Sequence, residues 1–138
     1  LFWLFACSTG PRPERSGQQI YTANCSSCHK EGGGGLGGLY PPLAGSEWVL
    51  DEADIPIRIL LHGIKGKIKV KGQEYDNIMA AWGGAMSDAE IAKTLTYIRQ
   101  SWGNQGTEIT EDQVKAIREK YKGHRSWTAQ SLKAQETQ

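Results

Sequence analysis

The feature that most constrains this chain is the pentapeptide Cys25-Ser-Ser-Cys28-His29, which lies at the end of a predicted helix. Two thiols one helical turn apart can each bond a vinyl-derived carbon of the same haem. The histidine that follows is then placed to supply an axial nitrogen to the iron. The spacing therefore predicts a site for one covalently attached haem c, and the covalent bonds would retain it in a domain too small to enclose it fully.

Two other kinds of site contain the same cysteine spacing. A thioredoxin-like dithiol needs a βαβ pattern around the motif, and the surrounding sequence does not have that pattern. A zinc site needs a second Cys or His pair at ligand spacing, and none follows. The glycine-rich run at residues 32–38 contains Gly-x-Gly-x-x-Gly but follows a helix, so we interpret it as a loop beside the haem and not as a nucleotide site.

The length and composition are those of one globular domain with a tail. The chain has 138 residues, of which 38% are hydrophobic and 22% charged, and its net charge is +1. A charge so close to zero gives no indication of a nucleic-acid partner. No apolar run reaches the roughly 18 residues of a membrane-spanning helix, and three cysteines, an odd number, do not form a pure disulfide scaffold.

Apolar periodicity and end signals predict four helices, with capping boxes of Ser87 with Glu90 and of Thr110 with Gln113 opening the last two. The second is expected to have Asp54 as its N-cap. Alternating residues at 65–75 predict a short hairpin, whereas residues 126–138 are polar and weakly patterned. The four predicted helices cover roughly residues 14–28, 54–62, 87–102 and 110–121.

Several further motifs follow the pentapeptide in a fixed order, and Gly17 and Tyr21 precede it by eight and four residues. These motifs are Tyr40-Pro-Pro-Leu-Ala-Gly-Ser46, Leu61-His-Gly63, Asn77-Ile-Met-Ala-Ala-Trp-Gly83 and the segment from Ser87 to Asn104. In this order they resemble the class I cytochromes c, small helical electron carriers with one haem. The resemblance implies an all-α fold with a short β-hairpin, here extended by an additional C-terminal helix. The expected division is an anchor and linker at 1–13, the cytochrome domain at 14–104 and a helical extension and tail at 105–138.

The resemblance also implies roles for individual residues near the iron. The carbonyl of Pro41 would accept the Nδ1 hydrogen of His29, which fixes the ring and raises its basicity. Met79 lies in the loop where the family places its sixth ligand, although Ala80 stands where many relatives have proline. His62 is the next candidate ligand, whereas Met86 has a sufficient role in packing the start of a helix. His124 lies beyond the core, and His/Met ligation would raise the potential of the iron.

Other residues allow both a functional and an ordinary interpretation. Trp48 and Trp82 fall in segments expected to flank the haem, where they would cover it or bond its propionates through the indole N–H, or simply pack the core. Four alternating lysines in the predicted hairpin form either a docking stripe for an acidic redox partner or a solvated face that discourages edge pairing. These lysines are Lys65, Lys67, Lys69 and Lys71.

The start of the chain indicates the cellular setting. Leu4-Phe5-Ala6-Cys7 resembles the end of a bacterial lipoprotein signal, so Cys7 is expected to carry lipid or to end an apolar anchor. The domain would then be periplasmic or otherwise extracytoplasmic and held at a bacterial membrane. The expected function is one-electron transfer, as a cytochrome subunit of a respiratory complex such as a quinol-oxidising complex or a terminal oxidase.

Two alternatives to that function stay open. One is a free-standing lipid-anchored electron shuttle. The other is a haem enzyme or gas sensor in which Met79 dissociates and opens the iron to a ligand. The sequence contains no paired carboxylates and no nucleophile–base pair, so no catalytic residues are assigned.

Overall fold

The computed structural model describes residues 10–134, and the predicted lipidation site Cys7 lies outside the described residues. The described chain is helical with one small sheet, so "all-α" is accurate only in outline. No helix in this range is long and apolar enough to cross a bilayer. In chain order the elements are α1 (Gly17–Asn24), α2 (Ser26–His29), α3 (Glu47–Leu50), α4 (Asp54–His62), β1 (Lys67–Val70), β2 (Gln73–Asp76), α5 (Asp88–Gln100), α6 (Glu111–Lys120) and α7 (Ala129–Ala134).

The prediction of one helix over residues 14–28 is wrong at its start and in its continuity. The helix begins at Gly17 because Ser16 and Gln19 form a capping box, in which each side chain bonds the other residue's backbone N–H. It stops at Cys25, which has φ −116°, and the chain then makes the separate turn α2. The Cys-x-x-Cys-His motif therefore lies on a short turn of its own rather than on a continuous helix.

The main core is formed where α1 crosses α5. Ile20 and Tyr21 of α1 are buried against α5, and α4 and α6 pack on the other sides of α5. The helices approach closely at Gly17, where an added Cβ would lie 2.1 Å from the carbonyl oxygen of Lys93. Burial of these apolar side chains is the main source of stability for such a small domain.

The other three predicted helices are confirmed, with differences at their ends. Both predicted capping boxes are present. The N-cap of α4 is Ala53 and not Asp54, whose carboxylate instead lies 3.3 Å from the buried guanidinium of Arg58. Helix α5 ends at Gln100, so Trp102 lies beyond it in a turn with φ +56°.

The segment after α6 is more ordered than its polar sequence predicts. It includes the helix α7, and Trp127 and Leu132 are both 0% exposed in a second core cluster with residues of α4 and the hairpin. The polar, weakly patterned sequence of residues 126–138 therefore did not predict this helix or these two buried side chains. The short helix α3 was also not predicted.

The predicted hairpin is confirmed, and its register pairs Lys67 with Asp76 and Val70 with Gln73. Only part of the lysine stripe exists as predicted. Lys67 and Lys69 are exposed on the same face of β1, whereas Lys71 occupies the turn and donates its N–H to Glu47. Lys65 precedes the strand.

Candidate functional site

A largely apolar cavity of about 300 Å³ opens between α2, α4, the hairpin and the loop before α5. Its volume is in the range of small-molecule and cofactor sites. The cavity brings together all seven residues that the sequence assigns to the haem site, although they are spread over nearly 60 positions of the chain. These residues are Cys25, Cys28, His29, Pro41, Trp48, Met79 and Trp82.

The two cysteines of the motif lie at one wall of the cavity, and no disulfide joins them. Cys25 ends α1 and is buried, and Cys28 lies one turn later on α2. Burial raises the pKa of Cys25 to about 11, and the neighbouring Cys28 adds to this effect. Before any covalent attachment, this thiol is therefore protonated at neutral pH.

The imidazole of His29 is held in one orientation by the backbone. Its Nδ1 lies 2.9 Å from the carbonyl oxygen of Pro41, while Nε2 makes no hydrogen bond within the described part of the chain. The ring is 9% exposed, and burial lowers the pKa of His29 although the bond to Pro41 acts in the opposite direction. A neutral imidazole with a free Nε2 is the form that binds a metal.

The position of the Pro41 carbonyl depends on the glycine-rich loop. The N–H of Gly35 donates to the carbonyl of His29, and a Cβ on Gly35 would lie 2.3 Å from Tyr40 O and 2.7 Å from Pro41 O. Gly34, in contrast, has nothing within 4 Å of such an atom. The loop therefore folds directly against the residue that orients His29, which explains part of the glycine run.

Met79 reaches the cavity from a different segment of the chain. Its backbone N–H and carbonyl are both bonded to Ile64, at 2.9 and 3.1 Å, and its side chain is partly buried. Met86 is 5% exposed within the main core and does not line the cavity. Of the two methionines, Met79 is the one at the cavity.

His62 and His124 lie outside the cavity lining. Their rings are 5.7 Å apart, and His124 stacks on Trp127 at 3.6 Å. The Nε2 of His62 is buried without a hydrogen bond within residues 10–134. His62, the last residue of α4, is thus part of an aromatic cluster with His124 and Trp127. This position does not support His62 as an iron ligand.

This environment predicts a pH-dependent stability. Burial, followed by the nearby His124 and Arg118, lowers the pKa of His62 below its ordinary value of 6.5. The unfolded chain therefore takes up the proton at a higher pH than the folded chain, so the free energy of unfolding should fall as the pH drops below about 6.5. Denaturant titrations at several pH values measure the slope, and His62→Gln should make it shallower. An equal slope in both proteins would contradict this account.

The two tryptophans contact the cavity in different ways. Trp48 is buried, and its indole N–H donates to the carbonyl of Lys69 at 2.7 Å. That bond occupies the group that would otherwise bind a propionate, so the wall-forming role is the better supported one. Trp82 is partly buried and lines the cavity, and its backbone N–H donates to the carbonyl of Leu60.

The sequence interpretation did not identify Asn104 as a functional residue. Its side chain accepts from Gly45 N–H and donates to the carbonyls of Leu43 and Ile98. It therefore ties the segment after Pro41 to the end of α5. Its place at the end of a motif-rich segment was the only signal of this role.

The cavity fits a haem bound through the protein's own sulfur and nitrogen atoms. Two thiols and a neutral imidazole are adjacent on one side, a thioether lies on a second segment, and the remaining lining is mostly apolar. Within residues 10–134 no group of three or more His, Cys, Asp or Glu could hold a metal ion, so the zinc alternative gains no support. Fold and site together define a small helical domain with a covalently attached haem.

Comparison with known proteins agrees with that class. The family model described as "Cytochrome C oxidase, cbb3-type, subunit III" matches residues 12–98. Cytochrome c-552 of Thermus thermophilus is 34% identical over 124 residues, which are 87% of this chain and 83% of that protein. The chain belongs to the cytochrome c family. It is an electron carrier rather than an enzyme, and its cofactor is covalently bound haem c.

Other relatives are parts of larger proteins. The alcohol dehydrogenase (quinone) cytochrome c subunit of Gluconacetobacter polyoxogenes is 31% identical over 103 residues, 72% of this chain but 22% of that subunit. The cbb3-type cytochrome c oxidase subunit FixP of Azorhizobium caulinodans is 30% identical over 88 residues, 63% of this chain and 29% of that subunit. Domains similar to this chain therefore occur within cytochrome subunits of dehydrogenases and oxidases.

Proposed function

We propose that the protein transfers single electrons through one haem c whose iron is bound by His29 and Met79. Cys25 and Cys28 would form the two thioether bonds. The observation that carries this proposal is that all four side chains line the same apolar cavity, although they come from two segments 50 residues apart. The haem supplies the one-electron Fe³⁺/Fe²⁺ couple, and the residues around it determine its potential and its isolation from water.

The protein's groups would act by holding fixed positions. Pro41 keeps the proton of His29 on Nδ1, so that Nε2 is directed to bind the metal as a neutral donor. Leu39 and Ile78 line the cavity while being 52% and 75% exposed, which places apolar surface at its mouth. A partner that approaches this edge meets these apolar side chains.

The contacts of Met79 favour a carrier over a haem enzyme or gas sensor. An enzyme or sensor needs an open sixth position, so its methionine must leave readily. Here both backbone groups of Met79 are hydrogen-bonded to Ile64, and Gly63 packs against the Met79 carbonyl. Ala80 is exposed and adds no constraint of its own, so the constraint comes from this pairing.

Met79→Ala tests the ligation. The variant should lose the far-red absorption band of ferric haem bound by methionine sulfur and should bind carbon monoxide in the ferrous state. Its reduction potential should fall by roughly 0.2 V, within the ~0.8 V range that axial ligands set. Met86→Ala is the matched control and should retain the band. A band retained in Met79→Ala, or carbon monoxide binding by the unaltered protein, would contradict the proposal.

We further propose that the protein works beside a membrane respiratory complex, as a subunit of a quinol-oxidising complex or terminal oxidase. The relatives named as dehydrogenase and oxidase cytochrome subunits support this setting. The proposed division is an anchor and linker at 1–13, the haem domain at 14–104 and an extension from 105. In this proposal Cys7 anchors the protein on the extracytoplasmic side.

The alternative is a free lipid-anchored shuttle. Cytochrome c-552 of Thermus thermophilus supports this alternative, because the similarity extends over most of that protein's length. Purification in mild detergent separates the two arrangements. Co-migration with large membrane proteins supports the subunit, and a single small species supports the shuttle. Exposed Lys67 and Lys69 would then be tested as docking residues by the salt dependence of electron transfer.

A further inference from the structure

The backbone at Ile64 is hydrogen-bonded on both sides, and this joins the C-terminal segment to the Met79 loop. On one side Ile64 exchanges hydrogen bonds of 2.9 and 3.1 Å with Met79. On the other side, Trp127 donates its N–H to Gly63 O at 2.9 Å and accepts from Lys65 N–H at 2.9 Å. Ile64 is thus the middle of three short paired segments, with Met79 at one edge and Trp127 at the other.

The side chain of Trp127 anchors the far edge of this arrangement. It is 0% exposed, and its ring stacks on His124 and meets the ring of Tyr121 edge-on at 5.1 Å. The guanidinium of Arg58, itself fully buried, lies 5.0 Å from the ring centre. The indole N–H has no hydrogen-bond partner in the described range, so the ring is held by packing and by the Arg58 guanidinium.

The middle segment lies in close contact with the backbone of Met79. Gly63 has φ +77°, and a Cβ there would lie 2.5 Å from the carbonyl oxygen of Met79. Among the described residues, the backbone N–H and carbonyl of Met79 are hydrogen-bonded to Ile64 alone. A shift of the 63–65 segment would therefore be passed directly to Met79.

We propose that Trp127 is a positioning residue for the Met79 sulfur. By fixing Gly63 and Lys65 it holds Ile64, and Ile64 holds Met79 against the iron. The C-terminal extension thus controls how readily the sixth ligand dissociates, and the reduction potential follows from that. The inference rests on the proposed ligation by Met79. It adds that the segment containing Trp127 makes dissociation of this ligand slow.

The test uses the full-length holoprotein in its ferric state. Cyanide can bind only when Met79 leaves, so its binding rate reports how often the ligand opens. Trp127→Ala should bind cyanide about tenfold faster, the factor expected when one or two backbone hydrogen bonds are lost. It should also have a weaker methionine band and a lower reduction potential. Trp127→Phe, which keeps a ring and gives up no existing hydrogen bond of the side chain, should remain near the unaltered protein.

Val114→Ala is the matched control, because Val114 is 0% exposed on α6 but belongs to the main core, away from the Trp127 cluster. It should lower thermal stability without changing the cyanide rate. Equal rates in Trp127→Ala and Val114→Ala would overturn the inference while leaving the ligation intact. If Trp127→Ala does not fold, the cyanide binding rate of Trp127→Leu is compared with that of Val114→Ala instead. Absence of the methionine band in the unaltered protein would overturn the ligation and this inference with it.

Discussion

Gly35→Ala is expected to lower the free energy of unfolding by about 3 kcal/mol and to shift the reduction potential. The residue has φ +68°, which is costly for an L side chain, and the added Cβ would lie 2.3 Å from Tyr40 O and 2.7 Å from Pro41 O. These are backbone atoms, so they cannot rotate away. The carbonyl of Pro41 must move, and the orientation of His29 moves with it. Denaturant unfolding and a redox titration of the purified holoprotein measure the two effects.

Gly34→Ala provides the control, since it adds the same atom one residue earlier. Gly34 has no positive φ, and nothing lies within 4 Å of its added Cβ. Its stability should stay within about 0.5 kcal/mol of the unaltered protein, as for an ordinary surface change, and its potential should not move. If both variants behave alike, the loop does not shape the site and is only a flexible connection.

The parts of the fold that the sequence predicts well are specified by neighbouring residues. The capping boxes at Ser87 and Thr110 need only the residue three positions later, and both are present. The hairpin is equally local, since its turn lies at Lys71 and Gly72 between two alternating runs. The Cys-x-x-Cys-His motif is local as well, so five consecutive residues are enough to predict the covalently attached haem.

The parts that the sequence does not predict depend on distant contacts. Trp127 stands in a polar segment with no helical or strand periodicity, and its burial depends on Arg58 and Ile64, which are far away in the chain. The ending of α1 at Cys25 likewise replaces a continuous helix by two short pieces, although residues 14–28 contain no proline to indicate a break.

The glycine run illustrates the same limit inside the site. Seven glycines lie between residues 32 and 45, and composition makes them look equivalent. Only the folded path shows that Gly33 packs on the ring of Trp102 and Gly35 on the Pro41 carbonyl, whereas Gly32 and Gly34 face open space. The glycines that cannot be replaced are those that distant parts of the chain contact in the folded protein. The local sequence pattern does not show which these are.

Gly17→Ala is expected to destabilise the protein by about 3 kcal/mol, opposite in sign to its effect on the isolated helix. Alanine favours a helix over glycine by up to about 1 kcal/mol, so α1 alone would gain. In the folded protein, however, the added Cβ would lie 2.1 Å from the carbonyl oxygen of Lys93 and 3.0 Å from the Cβ of Tyr97. Helices α1 and α5 must separate, which loosens the packing of Ile20 and Tyr21 between them.

Thermal and denaturant unfolding of the holoprotein measure this change, with Gln18→Ala as the matched control. Gln18 is the exposed neighbour on the same helix, so its replacement by alanine alters helix propensity and adds no atom against α5. It should leave stability nearly unchanged. A stabilised Gly17→Ala would mean that α1 and α5 are not in backbone contact in solution. A loss confined to Gly17→Ala would show that close approach of these two helices, and not the strength of α1 itself, supports the wall on which Cys25 and Cys28 present their sulfur atoms.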